Sequence, residues 1–193
     1  MMSARVALQY AVPGLWVAWI LYWWAASRDV KATRRRESVG SRLGHVVPLV
    51  LAAWMLAAPR LPGGLLGARF LPAAPSVYLI GVAVLAAGLV FSVWARASLG
   101  RNWSGIVTLK EGHELIRSGP YRFVRHPIYT GLLLGFAGTA IARGEWRGLV
   151  ALAIAFLALW RKLKLEERWL GETFGEAYER YRAEVPALIP FLL

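Results

Sequence analysis

The segment YRFVRHPIYTG, residues 121–131, decides the fold because it joins a charged loop to an apolar run. A Gly–Pro pair marks a turn just before it, and Pro127 suits the first turn of a helix, where its missing N–H costs nothing. The segment therefore predicts a helix that begins at Pro127. Arg125 and His126 stand at its N-terminus beside unpaired N–H groups, so we expect an anion to join them there. The alternative is that these basic side chains reach lipid phosphate.

The composition is that of a membrane protein. Of the 193 residues, 58% are hydrophobic, and 10 Trp and 7 Tyr suit rings placed at two bilayer interfaces. The mean hydropathy of +0.47 is too high for an ordinary soluble domain. Cysteine is absent, which excludes disulfides, thiolate nucleophiles and cysteine metal sites. The length predicts one domain over residues 1–193.

Apolar runs predict an all-α polytopic membrane bundle of about five transmembrane helices, the first retained rather than cleaved as a signal peptide. The predicted spans are Val6–Ala26, His45–Ala58, Ser76–Ala97, Pro127–Ala142 and Gly148–Trp160. Only ARGEWR separates the last two, which predicts a tight helical hairpin. We expect residues 1–95 to supply the N-terminal transmembrane helices and residues 96–193 to form the catalytic, cofactor-binding region.

The basic residues are divided unequally between the two predicted faces of the membrane. The net charge is +12, and 18 Arg and Lys fall in segments 27–44, 96–126 and 161–193, against 5 on the other face. By the positive-inside rule the N-terminus lies outside, and the C-terminus and active site are cytoplasmic. In so apolar a protein we interpret the basic excess as binding membrane lipids, and we expect no nucleic-acid partner.

The C-terminal segment 164–191 predicts an amphipathic cytoplasmic helix. Placed on a helix, one face carries Glu167, Leu170, Phe174, Tyr178 and Tyr181. A surface helix lying on the membrane would show the same rhythm. That alternative does not explain the adjacent carboxylates Glu166 and Glu167, which repel each other and require a cationic partner or ligand.

The sequence lacks the motifs of several common kinds of functional site. The sequence has no GxGxxG and no GxxxxGK[ST], so Rossmann and P-loop nucleotide binding are unsupported. Asp29 is the only Asp, which excludes an aspartate proton relay. The three histidines have no metal-binding spacing, so we expect no metal.

Two stretches together resemble the isoprenylcysteine carboxyl methyltransferase family of integral membrane enzymes, including its prokaryotic members. They are GHELIRSGPYRFVRHPIYTG and EERWLGETFGEAYERYRAEVPALIPF. The joint pattern H-x-L-x-x-x-G-x-Y-x-x-x-R-H-P-x-Y-x-G plus E-E-x-x-L-x-x-x-F-G-x-x-Y-x-x-Y-x-x-x-V-P is specific. The resemblance covers roughly residues 96–191.

The resemblance implies S-adenosyl-L-methionine as methyl donor, held without a Rossmann fold. By motif position the cofactor pocket would comprise His113, Leu115, Gly119, Tyr121, His126, Pro127, Tyr129, Gly131, Glu166 and Glu167. Arg125 and Glu167 are the predicted catalytic residues, with Arg125 orienting the acceptor or the cofactor carboxylate. The implied acceptor is an isoprenylcysteine-like carboxylate or another lipophilic molecule, small or prenylated.

Two other functions stay open at this point. Membrane NADPH-dependent sterol reductases share a similar R-H-P-x-Y-x-G element, but they have more spans, and the pair Glu166–Glu167 favours methyl transfer. A non-enzymatic scaffold or transporter subunit is the other alternative. Against it stands the concentration of both polar motifs on one face, without a broken-helix pair at the midplane.

Overall fold

The computed structural model describes residues 10–28, 33–59, 64–100, 103, 108–110 and 115–190. Within these residues six α-helices run in sequence order: α1 Ala11–Ala26, α2 Val39–Ala57, α3 Pro75–Leu99, α4 Pro127–Arg143, α5 Trp146–Phe174 and α6 Glu176–Glu184. Two short strands, β1 Thr33–Arg36 and β2 Thr108–Lys110, pair antiparallel. Turns of 3-10 helix lie at Leu65–Gly67 and Gly119–Arg122. The fold is therefore a helical bundle, with one two-stranded ribbon that the all-α prediction did not include.

Helices α3 and α4 pack backbone against backbone through glycines seven residues apart. A Cβ added to Gly131 would lie 2.5 Å from the carbonyl oxygen of Gly88, and one on Gly138 would lie 2.6 Å from that of Gly81. Because seven residues are close to two helical turns, both contacts fall on one line along each helix. Helices in lipid have no hydrophobic drive to associate, so the van der Waals contact that this close approach allows is one of the interactions that hold them together.

The predicted hairpin is present. Gly144 adopts φ +66, a left-handed conformation that favours glycine, and its N–H bonds to the carbonyl of Ala140 to end α4. Helix α5 then begins at Trp146. At this end of the bundle Arg143 and Arg147 both donate to the carbonyl of Ala58, which satisfies the exposed C-terminal carbonyls of α2.

Helix α1 joins the bundle through tryptophan N–H groups. Trp16 donates to the Thr139 hydroxyl of α4 at 3.0 Å, and Trp19 donates to the Ser92 hydroxyl of α3 at 2.7 Å. Large apolar side chains on the outer surface, among them those of Trp24 and Val90, are exposed. This is the arrangement expected where lipid is the solvent.

Two of the described helices are long and apolar enough to cross a membrane. They are Val39–Ala57, with 19 residues, and Pro75–Leu99, with 25. Helix α1 is apolar but shorter, and neither α4 nor α5 meets the same test over the described residues. The structure is consistent with a helical membrane protein, while the count of five spans and the orientation stay predictions.

The C-terminal helix differs from the prediction in two ways. Helix α5 continues without a break from the hairpin to Phe174, because nothing in residues 161–174 ends a helix, so Glu166 and Glu167 belong to the same helix as the last predicted span. Gly175, at φ +50, then divides the predicted amphipathic helix, and α6 is a separate nine-residue helix. Glu167, Leu170 and Phe174 therefore lie on α5, whereas Tyr178 and Tyr181 lie on α6.

Candidate active site

Arg125 and Glu167 form a buried ion pair between the loop before α4 and the C-terminal part of α5. The Arg125 Nε and Nη2 atoms both donate to Oε1 of Glu167, at 2.9 and 2.6 Å. The side chains are 9% and 5% exposed. Both charges of this ion pair are buried. Truncating either side chain would therefore leave the other charge buried and unpaired, which is strongly destabilising.

The third nitrogen of Arg125 contacts the end of α6 and the segment that follows it. Its Nη1 donates to the carbonyl of Arg182 at 3.0 Å and to that of Val185. The backbone N–H groups of Arg125 and His126 donate to the carbonyls of Pro186 and Ala187, at 2.8 and 3.0 Å. The C-terminal segment 185–188 is thereby fixed against the loop that precedes α4.

The neighbouring carboxylate, Glu166, is held by different residues. The hydroxyl of Tyr129 donates to its Oε1, and Nδ1 of His126 lies 3.6 Å from its Oε2. The rings of His126 and Tyr129 are stacked, with centroids 5.5 Å apart and planes 3° from parallel. The Nζ of Lys162 lies 5.4 Å from the centroid of the Tyr129 ring. The two adjacent glutamates therefore have different partners apart from His126: Glu166 accepts from Tyr129, whereas Glu167 pairs with Arg125.

His126 lies between the two carboxylates and is charged more readily than a free histidine. Its Nε2 is 3.4 Å from Oε1 of Glu167. Burial lowers the pKa of His126, but the carboxylates of Glu166 and Glu167 outweigh burial and raise it above its ordinary value of 6.5. Burial opposes ionisation of Glu167 as well, yet His126 and Arg125 hold its pKa down at about 2. Glu166 has a lowered pKa for the same kind of reason, with burial opposed by His126 and Lys162.

A layer of tyrosines from α6 closes one side of the ion pair. Tyr178 and Tyr181 are buried and pack with Val185, Leu115 and Phe174. The Tyr181 hydroxyl donates to the backbone carbonyl of Tyr121. Burial raises the pKa of both α6 tyrosines, that of Tyr181 to about 12, so at neutral pH both hydroxyls keep their protons. They are therefore hydrogen-bond donors here, and not bases.

The buried hydroxyl of Tyr178 has no hydrogen-bond partner among the described residues. Nε2 of His126 is also buried, and it makes an ion-pair contact of 3.4 Å with Oε1 of Glu167. Buried donors are normally satisfied, so the unpaired Tyr178 hydroxyl points to a ligand with polar groups. The donor set suits a molecule that carries both cationic and hydrogen-bonding parts. Within the described residues no group of His, Asp and Glu has the arrangement of a metal site.

The structure brings most of the predicted site residues together, but two point elsewhere. His126, Tyr129, Glu166 and Glu167 form the cluster described above, and buried Pro127 begins α4 beside it. Leu115 and Tyr121 contact the tyrosine layer. Gly131 faces Gly88 and Ser92 of α3, and a Cβ on Gly119 would meet the Ser98 hydroxyl at 2.8 Å. His113 lies outside the described residues.

Sequence reasoning did not assign Tyr178 to the site, although it placed that residue on one helical face with Glu167. The signal was the spacing FGEAYERY, residues 174–181, which carries two tyrosines three residues apart. Lys162 was also missed. Its position one turn before Glu166 on α5 could have indicated it, since residues four apart share a helix face.

The profile of the phospholipid methyltransferase family matches residues 76–177, more than half of the sequence. Protein-S-isoprenylcysteine O-methyltransferase of Schizosaccharomyces pombe is 35% identical over 104 residues, 51% of this chain and 43% of that protein. A probable protein-S-isoprenylcysteine O-methyltransferase of Oryza sativa subsp. indica is 31% identical over 122 residues, 60% of this chain and 62% of its own length.

A bacterial relative differs in its named substrate. Methanethiol S-methyltransferase of Crocosphaera subtropica is 40% identical over 72 residues, which is 37% of this chain and 28% of that protein. The chain spans less than two thirds of the length of each of these curated relatives. The sequence identity to the first two relatives nevertheless confirms the resemblance to isoprenylcysteine carboxyl methyltransferases. The profile match over residues 76–177 shows that the chain belongs to the phospholipid methyltransferase family.

Proposed function

We propose that this protein is an integral membrane methyltransferase that transfers the methyl group of S-adenosyl-L-methionine to a lipophilic acceptor. The single observation that carries the proposal is the convergence of the two sequence motifs. The loop before α4 and the C-terminal part of α5 meet at Arg125 and Glu167, with donor–acceptor distances of 2.9 and 2.6 Å. Family membership and the names of the relatives support the same reaction class.

The residues present fit the methyl donor. S-adenosyl-L-methionine carries an ammonium, a carboxylate, ribose hydroxyls and a sulfonium, and it supplies an electrophilic methyl group. Glu166 and Glu167 would meet the ammonium or the ribose hydroxyls, and the ring of Tyr129 offers a π-face to a cation. The unpaired hydroxyl of Tyr178 would supply a donor for the carboxylate or the ribose.

For Arg125 we propose a positioning role in place of direct contact with substrate. Its three nitrogens already donate to Glu167 and to the carbonyls of Arg182 and Val185. It therefore holds Glu167 in one orientation and fixes the C-terminal segment over the site. Positioning of this kind accounts for a large part of catalysis when the chemical step is a single displacement.

We place the acceptor site on the membrane side of the cluster, at the cytoplasmic face. The support is the distribution of basic residues and the position of Glu166 and Glu167 on α5, beyond the predicted span Gly148–Trp160. An acceptor with an apolar tail, prenylated or lipid-like, would reach the site from the bilayer. For a carboxylate acceptor no general base is needed, since the nucleophile is already anionic.

Ligand binding tests the proposal. In detergent, titration calorimetry with S-adenosylhomocysteine should give a saturable heat, whereas NADPH should give none. The opposite result, with tight NADPH binding and no response to S-adenosylhomocysteine, would favour the membrane reductase. If neither ligand gives a binding heat with protein that is shown to be folded, the non-enzymatic scaffold would be favoured.

A further inference from the structure

Three exposed basic side chains at one end of the bundle lie on the faces of aromatic rings that are themselves at least partly exposed. One pair lies at the end of α1, one in the turn before α4 and one on α5. They are the pairs Arg28–Trp24, Arg122–Phe123 and Lys164–Trp160, with the cationic centre 3.8, 4.6 and 4.5 Å from the ring centroid. We call the three basic residues the ring-stacked cations.

Contacts within the bundle place the three pairs at the same end. The carbonyl of Ala26, where α1 ends, accepts from Arg96 near the C-terminus of α3. Helix α4 runs antiparallel to α3 and therefore begins at this end. In its first turn Tyr129 donates to Glu166, which lies two residues after Lys164 on α5. The pairs are thus at the level of the candidate active site.

The ring-stacked cations have no other partner in the described part of the chain. None of them forms an ion pair or a side-chain hydrogen bond with another described residue, whereas Arg117 and Arg182 at the same end pair with glutamates of α6. A cation that lies on the face of a ring keeps its charge, and its N–H groups still point outward. Each pair can therefore bind an external anion through charge-assisted hydrogen bonds.

The arginines at the opposite end of the bundle are arranged differently. Arg69 donates to the carbonyl of Leu71 at 3.0 Å. Arg143 and Arg147 both donate to the carbonyl of Ala58, at 3.0 and 2.8 Å. These three guanidinium groups satisfy backbone carbonyls of their own end. Over the described residues, the two ends therefore differ in the positive charge that they offer to an external anion.

The position of the rings favours a membrane lipid as the source of that anion. Trp24 and Phe123 are 61% and 41% exposed, and exposed rings of membrane proteins lie at the level of the lipid headgroups. Helices α1 and α5 have different neighbours, since α1 bonds to α3 through Trp19 and α5 bonds to α2 through Arg161. The pairs are therefore spread around the bundle and do not form one patch. A nucleic acid or a folded acidic protein would reach only some of them, whereas a layer of anionic lipid reaches all three.

From this arrangement we propose that the three ring-stacked cations bind the headgroups of anionic phospholipids. Each ring enters the interface between headgroups and acyl chains, and the cation on its face pairs with a negatively charged headgroup. Attachment at three places around the bundle holds the end that carries Arg125 and Glu167 at headgroup depth. The inference goes beyond the proposed methyltransferase activity and does not require it.

Native mass spectrometry of the full-length protein in detergent tests lipid binding directly. With phosphatidylglycerol, the triple variant Arg28→Gln, Arg122→Gln and Lys164→Gln should lose up to about three bound lipids, and each single change should weaken its site by about fivefold. Phosphatidylcholine, which has no net charge, should bind equally to wild type and variants. Inorganic phosphate in large excess should not displace phosphatidylglycerol, because it lacks acyl chains. Displacement by phosphate would show a site for free anions and would overturn the lipid assignment.

Matched variants separate the stacked pairs from net charge. Arg42→Gln, Arg168→Gln and Arg180→Gln combined remove the same charge from exposed positions that carry no stacked ring within the described residues. This control should change phosphatidylglycerol binding by less than about twofold, since no ring holds these cations at headgroup depth. Trp24→Leu keeps Arg28 but removes its ring, and it should weaken that site by about two- to fivefold. Equal losses in the two triple variants, or no loss in Trp24→Leu, would show a diffuse charge effect and overturn the proposal. Melting temperatures confirm that each variant is folded.

A depth measurement tests where this end of the bundle lies. The sequence has no cysteine, so one introduced cysteine carries one spin label. In bilayers that contain phosphatidylglycerol, collisions with oxygen and with a nickel chelate should place a label at Ser27→Cys among the headgroups. They should place Val90→Cys, about 14 Å along α3 from its C-terminal end, among acyl chains, and Arg168→Cys in water. Equal access of the nickel chelate to positions 27 and 90 would overturn the depth assignment.

Binding of S-adenosylhomocysteine separates this inference from the proposed function. The triple variant changes no residue of the cofactor cluster, so in detergent it should bind S-adenosylhomocysteine as wild type does. A large loss of that affinity in the folded triple variant would place the ring-stacked cations in the cofactor site and overturn the lipid assignment. If wild type itself fails to bind S-adenosylhomocysteine while the lipid results are as expected, the methyltransferase proposal alone is overturned.

Discussion

Arg125 and Glu167 stand 42 residues apart in the sequence, and two nitrogens of the Arg125 guanidinium donate to the same carboxylate oxygen of Glu167. The pair joins the loop before α4 to the C-terminal part of α5, and the remaining nitrogen of Arg125 joins both to the end of α6 and the segment after it. A single side chain thus connects the three segments that surround the candidate cofactor site.

Glu167→Gln should weaken binding of S-adenosylhomocysteine by at least about tenfold, because removing one member of a buried charge pair costs more than about 1.4 kcal/mol. Calorimetry in detergent measures the affinity. Glu172→Gln, at an exposed position on the same helix, is the control and should bind like wild type. Wild-type affinity in a folded Glu167→Gln would contradict the assignment of this residue to the cofactor site.

Arg125→Lys should lower both thermal stability and ligand affinity, since an ammonium cannot match the planar fork that reaches Glu167 and two carbonyls at once. If the ion pair breaks, we expect the free energy of unfolding to fall by about 3–5 kcal/mol. Arg182→Lys keeps the same chemistry at an exposed site and should change neither property. Equal melting temperatures for the two variants would show that Arg125 is a snorkelling surface charge.

Gly131→Ala distinguishes helix packing from cofactor contact. A Cβ there would lie 2.5 Å from the backbone of Gly88, so we expect a destabilisation of about 1–3 kcal/mol by overpacking. Gly14→Ala, with nothing within 4 Å of its added Cβ, should leave stability equal or higher. If Gly131→Ala instead kept its melting temperature and lost S-adenosylhomocysteine affinity, the resemblance-based role in the pocket would be right.

Stability should depend on pH through the His126–Glu167 contact. The folded pKa of Glu167 is depressed to about 2, so its contribution is present above its unfolded pKa near 4 and is lost as pH falls toward 2. The folded pKa of His126 is raised above 6.5, so its contribution is complete below that value and is lost as pH rises through the folded pKa. Melting temperature should therefore be highest between about pH 5 and 6.5. His126→Gln should flatten the alkaline decline. It should also weaken the acid limb without abolishing it, because His126 and Arg125 together hold the pKa of Glu167 down and Arg125 remains. An unchanged alkaline limb would show that His126 is not charged in the folded protein.

The predicted topology places the C-terminus in the cytoplasm and the segment 60–75 on the other side. Reporter fusions at residue 193 and within 64–74 should report opposite compartments, because 18 of the 23 Arg and Lys lie in segments assigned to the cytoplasm. Signals from the same compartment would mean that the number of spans between the two positions is even.

The α4–α5 hairpin was predictable because local backbone chemistry specifies where helices begin and end. Pro127 suits a first helical turn and does begin α4, and the turn before Trp146 lies within ARGEWR as expected. The same local reasoning failed at the C-terminal helix. Periodicity ran across Gly175 without a break, but a glycine at φ +50 turns the backbone there, and a hydrophobic pattern carries no information about that dihedral.

The sequence by itself identified the candidate site residues: two glutamates after an apolar run, and an arginine and a histidine before a helix that begins with proline. Only the tertiary structure decided which of them meet. Arg125 is satisfied by Glu167 and by carbonyls 57 and 60 residues further along the sequence, while Gly131 turned toward α3. His45, expected at the edge of a span, became buried six residues inside α2 between Glu37 and Arg161. Partners so distant in sequence are chosen by helix packing, and helix packing depends on close backbone contacts that no single-segment pattern encodes.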